Sequence, residues 1–231
     1  LNASGRARIY LAGTATSREE EDRLRQEADQ EYRLIRGIRH AGILHPDELV
    51  QSERGPAVVF EYAEGEERLD LWAPDHLGAI PLDDRIELVR QLGEAVQHAH
   101  AEGITHRALT ARSVTVRPAQ RNEPLRLLIG HWHAGSRELA SRLTRLPNDN
   151  TVGPEMVGRL ADAEQVYLAP ELFAAERPDG VALDTFSLGA LAYLLLTGRP
   201  PAQDLADREE TLTASGHYVL DADFDSPPDS L

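Results

Sequence analysis

The sequence predicts an α+β chain built as two lobes, a small strand-rich half followed by a mostly helical half. Residues 57–62 (Ala-Val-Val-Phe-Glu-Tyr) are a short apolar run with a polar exit, the pattern of a buried strand. Ala63, Glu64 and Gly65 break that pattern and read as a hinge. Beyond them apolar residues recur at helical spacing, at Leu88, Leu92, Ala95 and Ala99 and again at Leu188, Leu191, Ala192 and Leu195. The expected division is 1–64 for the first lobe and 65–231 for the second.

Residues 5–12 end in a strand-like apolar patch, and 17–37 turn helical. Leu24, Ala28, Ile35 and Ile38 share one stripe of that helix, and Glu31 falls on it too. A carboxylate on a buried face needs a partner; at the stripe's edge it reaches solvent instead, and the residues alone leave both open. Asp83 or Asp84 is expected to cap the helix through Ala99, with Gly103 as its stop. Short strands follow at 113–117 and 125–129, joined by a loop holding Pro118, Asn122 and Pro124. Residues 130–166 show little apolar period and read as a long loop. Asp184 is then expected to cap a strongly apolar helix, closed by Gly198 with Pro200 and Pro201 beyond it.

With 231 residues, 41% hydrophobic and 27% charged, the chain can bury a full core. No apolar run approaches the roughly 20 residues of a membrane span, and no signal peptide is visible. Cysteine is absent, which excludes disulfides and thiolate zinc sites and suits a cytoplasmic protein. A net charge of −15 repels nucleic acid and anionic lipid, so neither is expected as a partner. The chain does not begin with Met and ends in an acidic, proline-bearing tail, so an excerpt of a longer protein is expected. All 24 residues counted as Lys+Arg are arginine. Arginine neither deprotonates nor presents a compact ammonium, so a mechanism with an obligatory lysine is excluded for this chain.

Four stretches in order then resemble the eukaryotic-like Ser/Thr protein kinases of bacteria. Val58-Val59-Phe60-Glu61-Tyr62 is similar to the last strand of the small lobe and its hinge, with Phe60 at the gatekeeper position. Residues 99–107, ending Ile104-Thr105-His106-Arg107, resemble the lead into the catalytic loop. Tyr167-Leu168-Ala169-Pro170-Glu171 is similar to the Ala-Pro-Glu motif, and Asp184-Thr185-Phe186-Ser187-Leu188-Gly189 to the buried helix after it. The resemblance covers nearly the whole chain. It implies a two-lobed protein-kinase-like fold whose small lobe lacks a strand and whose large lobe stops before its last helices. It also implies structural roles. Glu31 is the helix glutamate, His106 and Arg107 brace the large lobe, Asp184 holds the catalytic-loop backbone, and Glu171 anchors the activation segment.

The active positions of that family depart from its pattern. Phosphoryl transfer needs phosphates held by amides and a lysine, metal held by oxygen ligands, and a carboxylate that orients the hydroxyl. Ala108 stands at the carboxylate, Thr110 at the lysine two positions on, and Ser113 at the metal-binding asparagine. Gly130-His131-Trp132 stands at Asp-Phe-Gly, and glycine offers magnesium no side-chain oxygen. Residues 1–12 resemble the glycine-rich loop with its glycines replaced by Asn2, Ser4 and Ala7. No lysine-bearing strand can be placed after Ala12, so it is deleted or a segment between 12 and 17 is missing.

The expectation is a degenerate homologue, a pseudokinase that is not itself an enzyme. It would work as a scaffold or regulatory domain on other protein domains, in a parent polypeptide able to carry an active enzyme. No cofactor and no metal are assigned. His131 beside His133 suggests metal ligation, but nothing nearby completes a set, and a packed or surface histidine is the plainer reading. His131 and Trp132 either fill the nucleotide space or, for Trp132, pack beneath the loop. Two alternatives stand beside this. One is an unconventional nucleotide-using transferase. The other is a loop switched by phosphorylation at Ser136, Ser141, Thr144 or Thr151, which lie among Arg137, Arg142 and Arg145.

Overall fold

The computed structural model describes residues 5–9, 18–53, 55–120, 123–132, 136–137, 162–173 and 178–218. Strands β1 (Gly5–Ile9), β2 (Pro46–Ser52) and β3 (Gly55–Glu61) form an antiparallel sheet in the order β1-β3-β2. β3 is central, and its Ala57, Val58 and Phe60 are buried. Helix α1 (Arg18–Ile35) packs against it through the expected stripe, with Leu24, Ala28 and Ile35 in the core. The resemblance places a glycine-rich loop at 1–12, whereas residues 5–9 are a strand paired directly with β3, Arg8 opposite Val58. Asn2 and Ser4 lie outside the described residues, and Ala7 is an exposed strand position.

The hinge leads into a second, helical lobe. β4 (Glu67–Arg68) runs into α2 (Leu69–His76), a 3₁₀ turn at Leu77–Ala79 and α3 (Leu82–Ala101). β5 (Ile104–Thr105) follows, then a 3₁₀ turn at Ala111–Ser113, β6 (Val114–Arg117) and β7 (Arg126–Ile129). β4, β6 and β7 make an antiparallel sheet in the order β4-β6-β7, and β5 pairs with β8 (Ser136–Arg137). The remaining elements are α4 (Asp162–Gln165), a 3₁₀ turn at Pro170–Phe173, α5 (Gly180–Thr197) and α6 (Leu205–Ser215). The result is a kinase-like domain with a small antiparallel-sheet lobe and a helical lobe. One apolar cluster runs through both, including Ile35, Phe60, Leu92, Ile129, Trp132 and Leu191.

Three expectations are corrected here. Neither Asp83 nor Asp84 caps α3; Pro81 stands at the cap, and the two carboxylates sit in the first turn, where the helix dipole favours negative charge. Asp184 does not cap α5 either. The cap is Asp179, whose side chain accepts from the Val181 N–H, and Asp184 lies inside the helix and buried. Finally, α5 has 18 residues of mean hydropathy 1.5 and is long and apolar enough to cross a membrane by length and composition. Here Leu183, Ala190, Leu191, Leu194 and Leu195 of that helix are buried in protein.

The lobes are joined by backbone as well as by packing. Leu44 N–H donates to Ile129 O at 2.9 Å, and Ile129 N–H donates to Gly42 O at 2.8 Å. The turn carrying these bonds lies close on α3. A Cβ on Gly42 would meet Ala95 Cβ at 3.0 Å and Gln91 O at 3.5 Å, so any side chain there crowds the helix and glycine suits the approach.

Candidate functional site

The loop of residues 106–113 is held from below by α5. The Asp184 carboxylate is 1% exposed and accepts from His106 N–H at 2.7 Å and Arg107 N–H at 2.6 Å. His100 Nε2, near the end of α3, meets the same carboxylate at 2.9 Å. These contacts hold Arg107 at φ 68, a left-handed conformation that costs an L-residue about 1–2 kcal/mol. His100 is a site residue that the sequence reading missed; its position in the last turn of a helix ahead of His106 was the available signal.

The loop then closes on itself. Ser113 Oγ accepts from Thr110 N–H at 3.2 Å and donates to Ala108 O at 3.3 Å, a reciprocal capping arrangement with Thr110. Ala108 is buried, packed with Leu168, Ala169, Leu172 and Leu183. Gly130 is tied at both backbone groups: its N–H donates to Ser113 O at 2.8 Å, and its carbonyl accepts from His106 Nε2 at 2.9 Å. A Cβ at 130 would meet Leu44 Cδ2 at 3.3 Å. His106 is buried and lies tilted against Trp132, ring centroids 4.7 Å apart. Trp132 is 1% exposed and donates from Nε1 to Ile129 O at 3.2 Å. It packs into the core beneath the loop. His131 is half-buried at φ 61.

Magnesium bound with a nucleotide is what this fold implies, and these positions do not fit it. Ala108 and Gly130 have no side-chain oxygen, and the Ser113 hydroxyl is engaged within the loop. Among the described residues no three His, Asp or Glu side chains converge to hold a metal ion.

The other expected residues are spread out. Glu31 is fully buried on the inward face of α1, which settles its solvent-edge alternative. Glu171 is exposed on the 3₁₀ turn at Pro170–Phe173. The buried cation of that region is Arg208 of α6, which donates to Gln165 O at 3.0 Å and Leu168 O at 3.1 Å and lies over the Phe173 ring. Ser136 is in β8; Ser141, Thr144, Thr151 and His133 lie outside the described residues. A further pair that the sequence did not reveal ties the hinge: Arg117 Nε donates to Glu66 Oε1 at 2.6 Å, with the Glu66 side chain fully buried.

Comparison with known proteins follows the same direction as the fold. Residues 11–125 match the family model of protein tyrosine and serine/threonine kinases. Over 230 residues the chain is 33% identical to "Probable kinase PglW" of Streptomyces coelicolor, covering 90% of this chain and 14% of that protein. It is 28% identical over 176 residues to "Serine/threonine-protein kinase pkn2" of Myxococcus xanthus, covering 74% of this chain and 19% of that one. It is 27% identical over 180 residues to "Serine/threonine-protein kinase H1" of Homo sapiens, covering 78% and 38%. The chain therefore spans half or less of the length of these curated relatives. Their names overturn the expectation that the chain is not an enzyme: the relatives are kinases by name, bacterial ones included.

Proposed function

We propose that this chain, kinase-like in fold and with serine/threonine kinases among its relatives, acts as a regulatory, protein-interaction module of a longer bacterial polypeptide. The closure of residues 106–113 and 130–132 on themselves supports this best. The Ser113 hydroxyl, the Gly130 backbone and the His106 ring all bond within the protein, and Trp132 wedges the loop from below. Groups so engaged brace a surface. A preorganised surface loses less entropy when another domain docks on it. Its partners are other protein domains, in the same polypeptide or outside it, and its setting is the cytoplasm. In this reading the module sets the rate of a kinase through contact.

A second reading keeps phosphate transfer on this chain, and the kinase names of its relatives favour it. Because Ala108 and Gly130 carry no carboxylate, such a transferase would draw its base and metal ligands from other side chains.

Phosphate transfer from ATP, with magnesium or manganese, separates the two when measured on the full-length parent. Ala63→Arg places a long charged side chain at the hinge between the lobes. The regulatory reading expects transfer within twofold of the wild type. A tenfold fall with unchanged melting would overturn it in favour of the second.

A further inference from the structure

We propose that the cleft between α3, the turn at residues 40–42 and the start of β7 is a carboxylate-binding site, with Arg126 and His40 as its donors. This goes beyond the regulatory reading and does not depend on it. The cleft encloses about 220 Å³, with His40, Glu87, Arg90, Gln91, Glu94 and Arg126 in its walls. Pockets for drug-sized ligands begin at about 300 Å³, so this one suits a single side-chain-sized group.

Its walls carry two acids and two arginines, and the two arginines differ in their bonding. Arg90 lies between two carboxylates, bonded to Glu87 at 2.5 and 2.7 Å and also to Glu94, so the two acids of the cleft share one cation. Arg126 is different: its Nε is buried and has no hydrogen-bond partner among the described residues. A buried donor left unmet is destabilising, and an incoming acceptor offsets that cost. The backbone around it is fixed. Gln91 Oε1 accepts from Leu127 N–H at 3.0 Å, and Gln91 Nε2 donates to Leu125 O at 3.2 Å, clamping the residues on either side. Directly across the ladder stands Arg117, a like charge, and the Glu66 carboxylate is bonded to Arg117.

His40 supplies the second donor. Its Nδ1 accepts from Gly42 N–H at 3.0 Å, so the neutral ring carries its proton on Nε2. The ring is stacked on His98, centroids 4.9 Å apart. Burial, and then the neighbouring His98, hold its pKa below the ordinary histidine value, which keeps it neutral near pH 7. One guanidinium and one neutral N–H match a monoanionic carboxylate. A phosphate dianion would set two negative charges beside Glu87 and Glu94.

The test is calorimetric titration of the full-length protein with three probes: butyrate, the capped peptide acetyl-Gly-Glu-Gly-amide, and inorganic phosphate. Both carboxylate probes, or the peptide alone, should bind with at least tenfold preference over phosphate. Butyrate binding marks a free acid as a sufficient ligand; binding of the peptide alone marks a side chain on a partner polypeptide. Arg126→Lys keeps the charge and stem and removes the Nε–H; it should weaken binding at least fivefold, and Arg126→Gln at least tenfold. Equal binding by wild type and Arg126→Lys, phosphate binding as tight as carboxylate, or no carboxylate binding at millimolar concentration would each overturn the assignment.

Discussion

Arg107 and Asp184, 77 residues apart in sequence, share a hydrogen bond of 2.6 Å from the amide of the first to the carboxylate of the second. The same carboxylate takes the His106 amide and His100. One buried side chain thus holds the backbone of the loop in the left-handed turn at φ 68, which its sequence alone disfavours.

Replacing Asp184 by Asn turns one of its acceptor atoms into a donor facing donors. Chemical unfolding should show a loss of about 2–4 kcal/mol, the range for breaking a buried charge-assisted network. A loss under about 0.5 kcal/mol would mean that the loop is held by something else.

Trp132 fills the space under His106 and is almost fully buried. Trp132→Ala should cost about 3–5 kcal/mol, because a cavity replaces the ring. Trp132→Phe, which keeps an aromatic face on His106, should cost less than half as much. Urea titration of the three proteins checks the order.

His40 gives the stability a pH dependence of known sign. Its pKa is lowered in the fold from an ordinary 6.5, so the unfolded chain binds the proton more readily. The contribution is present above pH 6.5 and is lost as pH falls through the folded value. Protonation also turns Nδ1 into a donor facing the Gly42 N–H and sets a charge beside His98, with Glu94 as the opposing carboxylate. Melting temperatures between pH 7 and 5 should fall less steeply in His40→Asn, which keeps an acceptor and does not titrate. Parallel curves would count against this.

The hinge pair Glu66–Arg117 joins a fully buried carboxylate to a cation that is 21% exposed. Arg117→Met leaves the acid without that cation and should destabilise by about 2–4 kcal/mol. Changing both, Glu66→Gln with Arg117→Met, should recover part of the loss. A double-mutant cycle with no coupling would contradict the pairing.

The elements legible in the sequence are β3, α1, α3 and α5, which have a clean apolar period, and β6 and β7, short apolar runs set off by a turn-rich loop. β2 was hidden because Pro46, Asp47, Glu48 and Gln51 dilute its alternation, and its register shifts between Pro46 and Glu48. α2 carries Pro74 inside and Asp70 and Asp75 along it, and α6 is mostly polar. Asp184 looks like a cap because an apolar run follows it; that it faces inward is a tertiary fact set by His100, His106 and Arg107. The same holds for the burial of Trp132 against the His106 ring. The expectation of no enzymatic role rests on missing side chains at positions 108 and 130 and is overturned by the kinase names of the relatives.

The stitches from Gly42 and Leu44 to Ile129 act as a gear between the two halves of the molecule. Ile129 precedes Gly130, whose carbonyl holds the His106 ring, and His106 leans on Trp132. The turn that follows α1 and the loop of the large lobe therefore meet at one residue, Ile129. A shift of the small lobe is thereby tied to the backbone that holds the His106 ring.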